Sequence, residues 1–201
     1  MISGTGLRAR VARAAAVVLL ASAPAAAQEE PWDFARLMGE LAQVQTSRAR
    51  YSEVKRVAML QKPLRLSGTL FYERPARIER HQTQPFDEVI RVDGDRLSVE
   101  REGKTRRISL QNAPLVAALV ESLRATLAGD GIELERLYAV RVEGTRQRWT
   151  LALTPREVEI AGVVKTIAIA GSGSRIARME ILEPGGDGSV MTIHQESRES
   201  P

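Results

Sequence analysis

Between Lys62 and Asp95 the chain carries three short runs suited to strands, broken at Arg74-Pro75, Gln84-Pro85 and Asp93-Gly94. Leu64, Leu66, Gly68, Leu70 and Tyr72 alternate with mostly polar neighbours, a period of two that gives an extended ribbon one apolar face. Pro75 has no amide to donate and Pro85 restricts the residue before it, which places both at strand starts or edges. Runs so short and so closely joined pair antiparallel, because a parallel return needs a crossover of about a dozen residues. The same pattern recurs. Strands are predicted over 50–60, 64–73, 76–82, 86–92, 96–100 and 105–110, then over 133–143, 147–154, 163–170, 175–183 and 189–195, with turns at Gly144, Gly171 to Ser174 and Pro184 to Gly188. About eleven strands in one small domain, mainly β with helices, call for strong curvature or partial closure of an antiparallel sheet.

Two helices interrupt the strands. Asp33 is a suitable N-cap, and Phe34, Leu37, Met38, Leu41 and Ala42 follow at helical spacing to about Thr46, with Trp32 and Leu37 placed for a hydrophobic staple. The second helix has Asn112 as its expected cap, Pro114 in its first turn and Gly129-Asp130-Gly131 as its stop. Between Pro114 and Gly129 only Glu121 and Arg124 are ionised, so this helix must be largely covered. It is either a plug in the core or a lid over an apolar cavity. The expected wall and lid comprise Leu66, Leu70, Leu151, Ile167 and Ile181 from strands and Leu115, Leu119, Val120 and Leu123 from the helix. With only 4% aromatic residues in the chain, such an aliphatic lining is a poor stacking platform and a good bed for acyl chains, although a well-packed barrel core explains it equally.

The beginning of the chain reads as a secretory signal over residues 1–27, leaving a single domain over 28–201. Arg8, Arg10 and Arg13 precede the apolar run Ala14 to Ala21, and Ala25 to Ala27 offer a cleavage site. The apolar run is too short to span a bilayer. Neither a twin-arginine pair nor a cysteine for lipid attachment is present, which points to the periplasm. Removing 27 of 201 residues leaves 174 and takes three of the 29 basic residues, so 26 remain against 25 acidic ones. Near-neutrality removes the whole-chain argument for nucleic acid, and the basic run Arg101 to Arg107 reads as a hairpin tip around Glu102-Gly103. The absence of cysteine excludes thiol chemistry, disulfides and cysteine metal sites.

Catalytic patterns are scarce. His81 and His194 lie far apart outside any metal-binding motif, and Ser172 between two glycines lacks the nucleophile-elbow pattern. Asp93/Asp95 and Asp87/Glu88 sit at or beside turns, where solvation accounts for them. Neither a catalytic step nor a cofactor is expected.

The segment Gly68-Thr-Leu70-Phe71-Tyr-Glu-Arg74-Pro75, followed by Thr83-Gln84-Pro85, Ile90, Asp93-Gly94 and Leu97, resembles the LolA-like family of periplasmic outer-membrane lipoprotein carriers, as does Tyr51-Ser52-Glu53 upstream. The resemblance implies a hydrophobic cavity in an incomplete barrel closed by the N-terminal and lid helices. It also implies that Arg74 hydrogen-bonds the lid and latches the empty cavity shut. Ile78 and Arg80 stand where the family has phenylalanine and tryptophan, and Ser98 and Glu100 where it has aromatic residues. The partners so implied are a lipidated protein or lipid cargo, an inner-membrane donor complex and an outer-membrane acceptor, with the carrier itself a monomer. A regulatory sensor domain that binds a lipoprotein or membrane protein is the alternative from another class.

Export should remove the signal after Ala27, so N-terminal sequencing of the protein recovered from cell envelopes should begin at Gln28. Recovery from the cytosol with Met1 retained would overturn both the export and the carrier readings.

Overall fold

In the computed structural model, Asp33 accepts a hydrogen bond from the Arg36 amide at 2.9 Å and so starts helix α1 (Phe34–Leu41), whose Leu37, Met38 and Leu41 are buried. The structure describes Trp32 to Gln195; the expected signal, 1–27, lies outside the described residues. Trp32 packs against the same cluster as Leu37. The helix ends earlier than the expected Thr46, because from that residue onward burial alternates through Ala49, Tyr51 and Glu53 and the chain is already a strand.

The strands are β1 (Thr46–Arg56), β2 (Leu64–Glu73), β3 (Arg77–Gln84), β4 (Glu88–Asp93), β5 (Arg96–Arg101) and β6 (Lys104–Ser109), then β7 (Tyr138–Thr145), β8 (Arg148–Pro155), β9 (Thr166–Ser172), β10 (Arg175–Leu182) and β11 (Gly188–Gln195). Pro75 and Pro85 fall in the turns on either side of β3, each after a cis peptide bond. Glu102 and Gly103, both with positive φ, form the β5–β6 turn.

All eleven strands form one antiparallel sheet in the order β6-β5-β4-β3-β2-β1-β11-β10-β9-β8-β7. Two meanders are joined at the centre, where β11 pairs with β1 from Arg56↔Gly188 to Ala49↔Gln195. The sheet does not close: β6 and β7 are its two edges. Residues Leu110 to Leu137 must therefore run from one edge to the other, and they do so as a 3-10 turn (Leu110–Asn112), helix α2 (Pro114–Ala128) and helix α3 (Gly131–Leu137).

The structure corrects three further expectations. The expected strand over 133–143 begins only at Tyr138; Asp130 accepts the Glu133 amide at 3.0 Å and caps α3, which buries Leu134 and Leu137 at helical spacing. The expected strand over 163–170 begins at Thr166, after the one-turn helix α4 (Val158–Ala161) that buries Ile160. Asn112 does not cap α2: it lies in the 3-10 turn, Ala113 occupies the cap without a side-chain bond, and Pro114 at the start needs no amide partner.

The largest core cluster unites α1, α3 and strands β7 to β9 around Leu134, Tyr138, Trp149, Leu151 and Leu153. A second joins Tyr72, Ile78 and Val92 to Val120 of α2, and a third joins Tyr51 and Leu66 to Met191. Gly129, with φ +69°, ends α2, and a Cβ there would stand 2.2 Å from the Met38 carbonyl oxygen and 2.6 Å from the Ala42 amide. The ends of α1 and α2 touch because this residue has no side chain.

Gly129→Ala should therefore destabilise the domain by about 1–3 kcal/mol, combining an unfavourable left-handed φ with the clash. Urea unfolding checks it, and an unchanged midpoint would show that the two helix ends are free to part.

Candidate functional site

The register places Ala49, Leu70, Tyr72, Ile78, Arg80 and Met191 on one face of the sheet, the face on which α2 lies. Between this face and α2 there is a cavity of about 210 Å³. Leu70, Tyr72, Ile78 and Arg80 form one wall, Leu123 and Leu127 of α2 the roof, and Met179 and Met191 the opposite wall. The volume is below the roughly 300–1,000 Å³ of ordinary ligand pockets, so a long chain enters only if α2 shifts. The cavity adjoins a larger, more polar hollow of about 1060 Å³, sharing Val44, Ser47, Ser174, Ile176, Ile193 and Gln195 with it. There the ladder parts: β10 and β11 pair from Arg178↔Thr192 to Leu182↔Gly188, and no pairing extends to Arg175, Ile176 or Ala177.

Helix α2 is held at several points. Leu115 and Leu119 pack on the largest cluster, while Val116 and Val120 pack on the second. The Ser122 hydroxyl donates to the Ala118 carbonyl at 2.7 Å and lies 2.9 Å from the Tyr138 hydroxyl. Burial pushes the Tyr138 phenol up, with the Ser122 bond opposing, so it stays protonated. Arg124 donates to the Gly94 carbonyl in the β4–β5 turn.

At its C-terminus α2 meets Arg74, which sits in the β2–β3 turn. One terminal nitrogen, Nη1, donates to the Ala42 carbonyl at 2.6 Å and to the Ala128 carbonyl at 3.1 Å. Ala42 is the C-cap of α1 and Ala128 the last residue of α2. Carbonyls at helix ends lack intrahelical partners and carry partial negative charge, so a guanidinium satisfies both and complements both dipoles. The Arg74 amide donates to the Gln45 carbonyl at 2.9 Å, fixing the turn that presents the side chain.

Of the nine apolar residues expected in the cavity or lid, Leu70 and Leu123 border this cavity. The other seven do not line it: Leu115, Leu119 and Val120 lie on α2, and the strand residues pack in the core clusters or within the sheet. Leu66 joins Tyr51 and Met191, Leu151 is fully buried in the largest cluster, and Ile167, Leu115 and Leu119 pack against that cluster. Val120 belongs to the second cluster, and Ile181 is paired between Ile167 and Ser189 in the sheet. Leu123, Thr126 and Leu127, in the C-terminal half of α2, border the hollow.

Sequence reasoning missed a polar cluster on the same face. Arg80 donates from Nη2 to Glu53 Oε2 at 2.8 Å and Gln82 Oε1 at 3.3 Å, and from Nε to the Tyr51 hydroxyl at 3.0 Å. Gln82 in turn donates to the Phe86 carbonyl at 3.3 Å. Glu53 is 8% exposed and Gln82 2%. Burial pushes the Tyr51 phenol up, with Arg80 opposing. The available signal was phase: Arg80 and Gln82 alternate with Ile78, and Glu53 with Tyr51, on what must be the inner face. The Tyr72 hydroxyl, by contrast, is buried with no hydrogen-bond partner. Burial holds its phenol above the usual value, the Arg74 charge opposing, so it is a protonated donor at neutral pH.

A family described as "Outer membrane lipoprotein carrier protein LolA-like" matches residues 25–192. An outer-membrane lipoprotein carrier protein of Methylibium petroleiphilum is 28% identical over 160 residues, 79% of this chain and 75% of that protein. Among solved structures, a LolA superfamily protein of Nitrosomonas europaea aligns at 12% identity and TM-score 0.41 over 82% of this chain and 93% of that one. The lipoprotein LppX of Mycobacterium tuberculosis aligns at 13% identity and TM-score 0.44 over 82% and 97%. Among the described residues no helix is long and apolar enough to cross a membrane.

Removing one member of the buried ion pair, as in Arg80→Leu, should destabilise the domain by about 3–5 kcal/mol by stranding the Glu53 charge. The double variant Arg80→Leu/Glu53→Leu should recover most of that loss. Urea unfolding of both checks this, and an equally unstable double variant would show that side-chain shape rather than charge pairing governs the cluster.

Proposed function

The chain belongs to the LolA-like outer membrane lipoprotein carrier family, and on that premise we propose that its mature form is a periplasmic carrier. It shelters the acyl chain of a lipidated molecule beneath α2 and delivers it toward the outer membrane without a chemical step. The observation that carries this reading is the apolar cavity roofed by a helix whose end is tied to Arg74. Lipid chains need such shelter in water, since each buried CH₂ contributes about 0.8 kcal/mol and a sixteen-carbon chain on the order of 10 kcal/mol gross.

The small volume of the hollow supports reading the structure as the empty, closed form. Entry of cargo lifts the C-terminal half of α2, widens the space between Leu123, Leu127 and the methionine wall, and breaks the Arg74 bond to Ala128. Remaking that bond offsets part of the cost of expelling the chain. On this reading an inner-membrane donor loads the monomeric carrier and an outer-membrane acceptor unloads it.

Arg74→Leu should weaken the closed form by about 1–3 kcal/mol relative to the open one. The variant should retain a fluorescent acyl probe at least as tightly as wild type and transfer it more slowly to acceptor vesicles. Arg74→Lys should be partly defective, because an ammonium lacks the planar donor set. Equal retention and transfer by folded Arg74→Leu would overturn the latch. A wild-type protein that takes up no lipid, either from envelopes as read by mass spectrometry or in the probe assay, would overturn the carrier reading itself.

A further inference from the structure

Two residues that border the cavity, Tyr72 and Arg80, keep donors that no other group among the described residues uses. Arg80 borders the cavity, and its bonds to Glu53, Gln82 and Tyr51 use Nε and Nη2 alone; Nη1, with two further N–H groups, donates to nothing among the described residues. Tyr72 also borders the cavity, is 3% exposed, and its hydroxyl has no partner. The two residues lie on the same face of neighbouring strands, since Tyr72 pairs with Ile78 and Arg80 with Leu70. An aliphatic wall built only to hold hydrocarbon has no use for either donor. A buried ion pair is moreover no source of stability over apolar packing, so fold stability does not account for Arg80 and Glu53 here.

Resting on the carrier reading, we propose that this wall recognises the polar end of the cargo, and that the group it takes is an uncharged hydrogen-bond acceptor, the carbonyl of an acyl ester or amide. The charge balance selects against the alternatives. Glu53 stands 2.8 Å from Nη2 and neutralises Arg80, so a carboxylate or phosphate entering beside Nη1 would meet a second, buried anion. A carbonyl oxygen, with two lone pairs, accepts from both Nη1 and the Tyr72 hydroxyl without adding charge, while its chain extends along Leu70, Met179 and Met191 under Leu123. Tyr72, held protonated by burial, serves as donor throughout the neutral range. The inference thus narrows the cargo from any lipid to a neutral acylated linkage.

The test is displacement of 1-N-phenylnaphthylamine from the mature protein by three probes with the same twelve-carbon chain: the glycerol ester monolaurin, the corresponding dodecyl glyceryl ether, and laurate. Wild type should prefer the ester to both others by about three- to tenfold, the size of one net hydrogen bond. Tyr72→Phe removes an unpartnered hydroxyl, so its thermal unfolding midpoint should not fall while the ester's advantage over the ether shrinks by a similar factor. A purely structural role for Tyr72 would leave the ester-to-ether ratio untouched. Glu53→Gln should shift preference toward laurate by unmasking the Arg80 charge; should it unfold, Tyr72→Phe decides alone. Equal binding of ester and ether by wild type, or a ratio unmoved in folded Tyr72→Phe, would overturn this inference and leave the carrier reading standing. Failure of wild type to bind any of the three probes would overturn both.

Discussion

The strands that open and close the long central connection, β6 and β7, are the two edges of one sheet, so the chain between them has to cross the sheet's whole inner face. That constraint dictates how the inner layer is built. An eleven-stranded sheet that curves without closing leaves a broad apolar surface, and the crossing segment is the part of the chain placed to cover it. Its helices satisfy their own backbone hydrogen bonds, so they can lie across the sheet without needing a strand partner. Helix α2 has apolar residues around most of its circumference because it contacts both halves of the sheet: Leu115 and Leu119 turn toward one meander, Val116 and Val120 toward the other.

At the C-terminal end of α2 polar contacts are added to the packing. Gly129 lets α2 stop against the end of α1, which leaves two sets of helix-terminal carbonyls side by side, and Arg74 reaches both from the β2–β3 turn. A charged side chain thus holds the same end of α2 that roofs the cavity. Such a contact is directional, whereas aliphatic packing is not. The C-terminal half of α2 is thus held both by packing, through Ala125 and Leu127, and by the Arg74 hydrogen bond. Beside the cavity the β10–β11 pairing stops short of Arg175, Ile176 and Ala177.

Cavity walls in such a protein face two demands. Aliphatic side chains provide burial for hydrocarbon but no discrimination, because burial is non-directional and proportional to area. Polar groups discriminate only when their hydrogen bonds are defined. The cluster of Arg80, Glu53, Gln82 and Tyr51 supplies a wall whose charge is balanced and whose side chains are held in place by one another. Within it, Arg80 stands where the resembling family has a tryptophan, so a fixed donor occupies that position.

Local order was legible in the sequence. Alternation at Leu64 to Tyr72, the prolines at 75 and 85, the Glu102-Gly103 turn and the charge-poor run after Pro114 each report a short-range preference of the backbone, and they determined an antiparallel meander, a covered helix and an open curved sheet. The Gly68 to Pro75 segment carried the family resemblance. What failed locally did so where two periodicities compete: at 133–143 the spacing of Leu134 and Leu137 belongs to a helix begun by the Asp130 cap, and that of Tyr138, Val140 and Val142 to a strand begun at the extended Tyr138. Tertiary structure alone decided that β11 returns to the centre beside β1, that Leu66 and Leu151 are core while Leu70 and Leu123 border a hollow, and that Arg80 finds Glu53 across two strands. Those outcomes depend on strand register and on which helix covers which part of the face, and such contacts join residues far apart in the chain, where no local pattern can record them.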